Sequence, residues 1–228
     1  MSSDWPPPPP PTEPPHAEPP APPVIPWEQW GVPWTTGLVE TVKLLLTRPR
    51  EAYERMPIGG DLLKPFLFAI LLGWIGAIFQ TIWTIAFKGM MPSSGMYGGY
   101  AMPPIFLPFT ALFAPIVIAC VLVAVSAIVH LMLMIVGGAR SGFQATLRAL
   151  CYAQAAQVIQ LLPLCGGLIA AIGSLLLTIQ GLATAHRISH SKAAFAVLLP
   201  VVLCCGCGIV LAVTMGAALL HHLGQGNF

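Results

Sequence analysis

The sequence predicts an all-α integral membrane protein, in which five transmembrane helices follow an amphipathic interfacial helix and a disordered proline-rich tail. The first observation is composition: 56% of the residues are hydrophobic and 8% are charged, whereas a soluble domain carries about 25% charged residues. The second is that every acidic residue lies at or before Asp61. The third is a series of long apolar runs after that residue. The predicted regions are therefore a tail (1–35), an amphipathic segment (36–61) and a membrane domain (62–228).

Residues 1–35 are expected to form a cytoplasmic tail that is largely disordered. A run of prolines occupies positions 6–11, and proline removes the backbone donor and fixes φ, which favours extended polyproline II. A solvated tail is the favoured interpretation, and a ligand for a proline-recognising domain is the alternative. Trp27, Trp30 and Trp34 follow, and indole rings prefer the membrane–water interface.

Residues 36–61 are expected to form an amphipathic helix with one interruption at Pro49. Leu38, Val42 and Leu45 recur at helical spacing, and charged residues lie between them. We expect this helix to lie on the membrane surface. The alternative is a soluble helix that packs against the loops.

Five apolar segments are long enough to span a hydrocarbon core of about 30 Å. The third of them is the least apolar, and it reaches this length only if Arg148 lies near the interface, where its side chain can extend towards water. The predicted spans cover approximately residues 65–87, 112–136, 145–162, 164–185 and 193–220.

Charge predicts the orientation of these spans. With five crossings and a cytoplasmic N-terminus, every lysine and arginine except Lys88 lies on the cytoplasmic side, as the positive-inside rule requires. If the third segment did not cross, Arg187 and Lys192 would lie outside. We therefore expect five spans and an external C-terminus.

Two polar sets on the membrane domain are candidate sites. The first is a basic rim of Arg140, Arg148, Arg187 and Lys192, where each residue either gains about 1 kcal/mol from anionic lipid headgroups or only sets the topology. The second is a polar face on the third span, where glutamines recur every three residues. Such amides either line a wet cavity or, the favoured interpretation, bond across helices. The glutamines are Gln154, Gln157 and Gln160.

Small residues recur every four positions on the fifth span and predict a helix-packing surface. Packing within the monomer is favoured over a dimer, although a homo-oligomer stays open. These residues are Cys204, Gly208, Ala212 and Gly216. His130, His186 and His190 are expected on the cytoplasmic side as hydrogen-bonded interfacial residues, and their spacing matches no metal motif.

The order of several short motifs resembles a known family. The motifs are Leu45-Leu46-Thr47-Arg48-Pro49-Arg50-Glu51-Ala52-Tyr53, His130, Gly137-Gly138, Phe143-Gln144-Ala145-Thr146-Leu147-Arg148, Tyr152-Ala153, Pro163, Gly166, Gly181-Leu182, His186 and Ala193-Ala194. Together they are similar to the Yip-one (Ypt/Rab-interacting protein) domain family of five-span membrane proteins, over about residues 36–220. The resemblance implies a cytoplasmic N-terminus and five helices. In eukaryotic relatives it implies binding of Rab-type GTPases and a role in vesicle traffic. The compact chain resembles the bacterial branch, which implies the bacterial inner membrane.

The sequence offers no catalytic constellation, cofactor site or metal site. We therefore expect a non-enzymatic membrane scaffold or adaptor that binds anionic lipids and, through its N-terminal segment, a cytoplasmic protein. The net charge of +2 does not suggest nucleic acid as a partner. The main alternative is a small-solute or lipid transporter, or a channel, that uses the glutamine face of the third span. A third hypothesis is a membrane enzyme that uses the cytoplasmic histidines.

Overall fold

The computed structural model describes residues 24–87 and 107–225, and every regular element within those ranges is helical. The polyproline run at 6–11, most of the loop between the first two predicted spans, and residues 226–228 lie outside the described residues. The described chain has two parts. Residues 24–56 form a small helical cap, and five helical segments form a bundle beneath it.

The cap consists of a 3₁₀ helix (Pro26–Glu28) and two α-helices, α1 (Trp34–Thr47) and α2 (Pro49–Glu54). Arg48 separates α1 from α2 with a non-helical backbone conformation, because a residue that precedes proline is driven out of the α region. The predicted interruption at Pro49 is therefore present. Leu45 of α1 and Tyr53 of α2 are buried, and so is Ile25 ahead of them.

Folded structure is present before residue 36, where the sequence predicts the first helix. Residues 24–35 were assigned to a largely disordered tail, yet Ile25 is fully buried and Trp27 packs against Phe68, with ring centroids 5.9 Å apart. Proline rigidity does not prevent this packing, because Pro26 occupies the first position of its short helix, where no backbone donor is required. Residue 35 is thus not a structural boundary.

The bundle contains four long apolar helices and one shorter segment. Its elements are α3 (Leu63–Phe87), α4 (Leu107–Ile135), α5 (Gly142–Ala153) with a 3₁₀ helix directly after it (Gln154–Leu161), α6 (Gly166–His186) and α7 (His190–Gln225). Within the described residues, α3, α4, α6 and α7 are long and apolar enough to cross a membrane. The third predicted span is not one continuous α-helix, because its second half adopts 3₁₀ geometry.

Residues 142–161, called the central segment from here on, lie between α3 and α6. They run parallel to α3, because Tyr152 stacks with Phe68 near one end of α3 and Trp83 Nε1 donates to the Gln160 carbonyl oxygen near the other. They run antiparallel to α6, because Thr146 contacts His186 and Gln160 contacts Gly166. The central segment contains the most buried helix of the bundle: nine of the 12 residues of α5 are buried.

Among the α7 side chains that the structure describes, those that pack in the bundle belong to the first third of the helix. Ala193, Ala196 and Val197 are buried against the neighbouring helices, whereas Val202 and Val210 are more than 60% exposed. After Pro200, the helix therefore diverges from α4 and α6 and leaves part of their surface uncovered.

Candidate functional site

A buried ionic cluster joins the cap to the central segment. Arg148 of α5 is 1% exposed, and its Nη1 donates to both carboxylate oxygens of Glu28, at 2.7 and 3.0 Å. Arg148 Nη2 donates to the Asp61 carbonyl oxygen, and the Tyr152 hydroxyl donates to the Glu28 carboxylate. Arg148 Nε has no partner among the described residues. The cluster therefore depends on Glu28, because a buried guanidinium without a counter-ion is strongly destabilising.

A second set of contacts fixes the position of Glu28. The Trp27 backbone N–H donates to Thr41 Oγ1 at 2.9 Å, and Trp27 Nε1 donates to the Lys64 carbonyl oxygen at 2.6 Å. Lys64 Nζ donates to the Glu28 carbonyl oxygen at 3.1 Å and lies 5.1 Å from the centroid of the Trp30 ring. Since Lys64 lies in the first turn of α3, these contacts hold the start of the cap level with the start of that helix.

Tyr53 docks α2 onto α6. Its ring lies against Gly181, where an added Cβ would come within 2.7 Å of Tyr53 Cε1. The hydroxyl donates to the Ala149 carbonyl oxygen at 3.4 Å, and burial raises the pKa of this hydroxyl well above its ordinary value. The side chain is therefore a neutral packing group, and Gly181 is the residue that makes room for it.

Two histidines and a threonine form a chain of hydrogen bonds beside the loop that joins α4 to α5. Thr146 Oγ1 lies 2.9 Å from His130 Nδ1 and 2.9 Å from His186 Nε2. The Ser141 backbone N–H donates to His186 Nδ1 at 3.1 Å. His186 Nδ1 is therefore an acceptor, so neutral His186 carries its proton on Nε2 and donates to Thr146. Thr146 then donates to His130 Nδ1, and the geometry fixes the tautomers of both rings.

These histidines are hydrogen-bonded at the end of the bundle, as the sequence predicted. His190 lies apart from the other two and contacts Gln180 Oε1 at 2.8 Å. Among the described residues, no group of three His, Cys, Asp or Glu side chains is arranged to hold a metal ion.

The basic rim divides into two environments. Arg140, Arg187 and Lys192 are exposed, and Arg140 Nη1 donates to the Arg187 carbonyl oxygen at 3.4 Å. Arg148 is not with them, because it is buried beside Glu28. A buried arginine cannot meet a lipid headgroup, so only the three exposed residues retain the predicted lipid role as a hypothesis.

The glutamine face borders a cavity of about 460 Å³. Gln154 and Gln157 line this cavity, whereas Gln160 donates through Nε2 to Gln157 Oε1. Six aliphatic residues of α4 form the opposite wall: Val117, Ile118, Val121, Leu122, Val125 and Val129.

The small residues of α7 lie in its diverging part. Cys204, Gly208, Ala212 and Gly216 are exposed, and a Cβ added at Gly208 or Gly216 would meet no atom of the described chain within 4 Å. The structure therefore places this surface away from the bundle, and packing within the monomer, the favoured interpretation, is not what the described helices do.

Sequence reasoning missed Glu28 and Tyr152 as partners of Arg148. A signal existed, because an arginine inside an apolar segment needs a counter-charge and every acidic residue lies in the first 61 positions. The sequence did not indicate which of them folds back across 120 residues. The hydrogen bonds of Thr146 could not be predicted either, because the sequence around a helical threonine does not indicate its tertiary partners.

Comparison with known families gives a match that covers most of the bundle. Residues 43–212 match the Yip1 domain. The chain belongs to the Yip1 domain family. No curated protein and no solved structure matches it.

The Yip1 region contains most of the geometry described above. Arg148, the histidine–threonine chain and the cavity all lie within residues 43–212, together with α2 and the four apolar helices up to the outer part of α7. Glu28 lies before the matched region, so the ionic cluster joins the Yip1 domain to a segment outside it. The family and the apolar helices together establish a membrane protein.

Proposed function

We propose that this Yip1-family protein is a non-enzymatic membrane adaptor, with the folded cap as its docking platform for a cytoplasmic protein and the exposed basic residues as its contact with anionic lipids. The observation that carries the proposal is the buried Glu28–Arg148 cluster, because it fixes the cap rigidly on the bundle. A platform of fixed orientation is what a membrane adaptor needs.

The outward face of the cap supports protein docking. Glu40 and Lys43 of α1 are exposed, and so is the Arg50–Glu54 pair of α2, in which Arg50 Nε lies 2.8 Å from Glu54 Oε1. Exposed ion pairs contribute little to stability, so these charges are free to serve recognition. The expected partner carries a complementary mixed-charge surface.

The edge of the cap supports contact with the bilayer. Trp30 is 92% exposed and Trp34 66% exposed, and Trp30 lies beside Lys64 in the first turn of α3. If α3 enters the membrane at that turn, both indoles lie at the depth of the headgroups, where tryptophan is favoured.

Five crossings are supported by the pairing of the central segment with α6. α6 has 21 residues and is about 31 Å long. The central segment runs beside it from His186 to Gly166, that is, over its full length. Its 12-residue α-helix and eight-residue 3₁₀ helix together extend about 34 Å. A segment paired with a spanning helix from end to end crosses with it.

The proposed orientation follows from this topology and the distribution of charge. With five crossings the cap, the loop that carries Arg140 and the turn that carries Arg187 lie on one side, and the positive-inside rule assigns that side to the cytoplasm. The C-terminus is then outside. The resemblance to the bacterial branch of the family favours the bacterial inner membrane as the location.

Mass spectrometry of the protein extracted in native lipid discs tests the adaptor role. The wild type should retain a stoichiometric protein partner. A charge reversal on α1, Glu40→Lys with Lys43→Glu, should remove that partner and leave the fold intact, because neither side chain is buried. Deletion of residues 1–23 separates a role of the proline tail from a role of the cap. Absence of any stoichiometric partner from wild-type discs contradicts the proposal.

Lipid contact is tested separately in discs that contain phosphatidylcholine with a minor fraction of phosphatidylglycerol. Changing Arg140, Arg187 and Lys192 together to glutamine should reduce the enrichment of phosphatidylglycerol around the protein, with each residue accounting for about 1 kcal/mol at most. Arg50→Gln is the control, because Arg50 is also exposed but lies in the cap beside Glu54. Equal enrichment for the triple variant and the wild type contradicts the lipid role.

A further inference from the structure

The cavity of about 460 Å³ has two chemically different walls. On the α4 side the lining is aliphatic, as described above. On the opposite side, the central segment and α6 contribute three apolar residues, Leu150, Ala171 and Leu175, and four polar residues that face the same space: Gln154, Gln157, Ser174 and Thr178. Among the described residues, no charged side chain lines the cavity.

Several of these polar groups lack hydrogen-bond partners within the described chain. Thr178 Oγ1 donates to the Ser174 carbonyl oxygen at 2.7 Å, and Gln157 Oε1 accepts from Gln160. Three groups remain without a hydrogen-bond partner in the described chain: the Gln154 carboxamide, the Gln157 amide nitrogen and the Ser174 hydroxyl. Donor hydrogens outnumber acceptors among them, because each amide nitrogen carries two and the hydroxyl one.

These polar groups lie far from both ends of α6, where the lack of hydrogen-bond partners is destabilising. Ser174 lies 12 residues before His186 and eight after Gly166, which places it about 18 Å and about 12 Å from the two ends of α6. Water is scarce at such a depth in a bilayer, and polar groups without partners are destabilising there. The site therefore calls for an occupant that supplies hydrogen-bond acceptors.

The cavity is accessible from the lipid because α7 diverges from α4 and α6. Among the described residues of α7, Val197 alone contributes to the lining, and the helix diverges after Pro200. The gap between α4 and α6 is consequently open to the surrounding lipid. The volume lies within the range of sites for drug-sized ligands, about 300–1,000 Å³.

We propose that this cavity binds a neutral lipid-soluble amphiphile through hydrogen-bond-accepting carbonyl groups on its head, with an apolar tail that leaves between α4 and α7. The carbonyl oxygens accept from Gln154, Gln157 and Ser174, and the ring or chain that bears them packs on the aliphatic wall of α4. A charged headgroup is disfavoured, because the described part of the lining offers no counter-charge. The site is independent of the proposed adaptor role.

Thermal unfolding of the full chain in phosphatidylcholine discs, at increasing content of the quinone decylubiquinone, tests the proposal. Decylubiquinone should raise the unfolding temperature with saturation, and native mass spectrometry should show one molecule bound. Gln154→Leu combined with Ser174→Ala should raise the decylubiquinone concentration at half-maximal stabilisation by about tenfold or more, as expected for two lost hydrogen bonds. Gln144→Leu is the control, because Gln144 is an exposed amide of α5 outside the cavity.

Two further arms separate specific binding from simple filling of space. Decylbenzene has a similar tail but no carbonyl, and it should not stabilise the protein. Val121→Trp should abolish quinone binding by occupying the cavity, and it serves in place of the double variant if that variant does not fold. Absence of stabilisation in the wild type, equal stabilisation by decylbenzene, or an unchanged half-maximal concentration in a folded cavity variant each overturns the proposal.

Discussion

Glu28 and Arg148 lie 120 residues apart in the chain and meet in a site that is almost closed to solvent. Such a pair is poor evidence for net stability, because removing two charges from water is expensive. Its effect is on specificity: only one position of the cap supplies the counter-charge that Arg148 needs. The pair therefore acts as the fixed point between the cap and the bundle.

Glu28→Ala should destabilise the protein by about 3–5 kcal/mol, because it leaves the Arg148 guanidinium buried and unpaired. The measurement is denaturant unfolding in detergent micelles, combined with limited proteolysis of the cap. Arg148→Leu in the same background should restore part of the loss, so that the two effects are not additive.

The exposed Arg50–Glu54 pair of the cap provides the control for these Glu28 and Arg148 variants. Glu54→Ala breaks the contact with Arg50, whose side chain is 82% exposed, and should change stability by less than about 1 kcal/mol. Additive effects of Glu28→Ala and Arg148→Leu would be inconsistent with a coupled buried pair.

Thr146→Val should cost about 1–3 kcal/mol, although valine has almost the same shape. The hydroxyl accepts from His186 Nε2 and donates to His130 Nδ1, so its removal leaves two ring nitrogens without partners. Thr146→Ser should preserve most of the stability. In the same unfolding assay, Thr214→Val is the control, since that hydroxyl is exposed and bonds its own helix. Equal stability for Thr146→Val and Thr146→Ser would contradict the proposed chain.

At the scale of elements, the central segment is the one on which the other parts depend. It contributes Arg148 to the cap, Thr146 to the histidines and Gln154 to the cavity. It contacts α3 and α6 along its length, and its change from α to 3₁₀ geometry at Gln154 extends it without additional residues. One segment thus serves three environments because it lies between the other helices.

The contact between α2 and α6 depends on the absence of a side chain at one position. Gly181→Ala adds a methyl group that would lie 2.7 Å from the Tyr53 ring, so the ring and α2 must move. We expect a loss of about 1–3 kcal/mol and faster proteolysis of the cap. Gly208→Ala is the matched control, because its added Cβ meets nothing within the described chain. That variant should be neutral or slightly stabilising, since alanine favours a helix. Equal behaviour of the two variants would argue against close packing at Gly181.

At the scale of the whole molecule, the number of crossings fixes which surfaces face the cytoplasm. Five crossings place the turn that contains Cys165 outside and the turn that contains Ser189 inside. If the central segment did not cross, both assignments would reverse. The exposed Cys165 is therefore a natural reporter.

In a variant whose only cysteine is Cys165, a membrane-impermeant maleimide should label intact cells from outside. In a cysteine-free background, Ser189→Cys should be labelled only after permeabilisation. Cap position Glu40→Cys serves as the internal reference, and it should behave like Ser189→Cys. Labelling of Ser189→Cys from outside would contradict five crossings.

The sequence by itself determined that the protein is an all-α membrane protein, the family to which it belongs and the approximate positions of four long apolar helices. Long apolar runs have one stable solution in lipid, because a helix satisfies its backbone hydrogen bonds internally. Four of the five predicted segments consequently correspond to α3, α4, α6 and α7 within about five residues at each end, and Pro49 separates α1 from α2 as expected. Such local features depend on neighbouring residues, so they can be predicted without the tertiary structure.

Only the tertiary structure decided which polar residues meet. The sequence grouped Arg148 with Arg140, Arg187 and Lys192 because they share a charge and a side of the membrane. In the structure, Arg148 is buried and its guanidinium donates to the Glu28 carboxylate instead. Likewise, the outer part of α7 keeps its small residues away from the bundle, although their spacing suggested packing within it. Pairing across long sequence separations depends on how the helices are arranged, and helical periodicity does not record that arrangement.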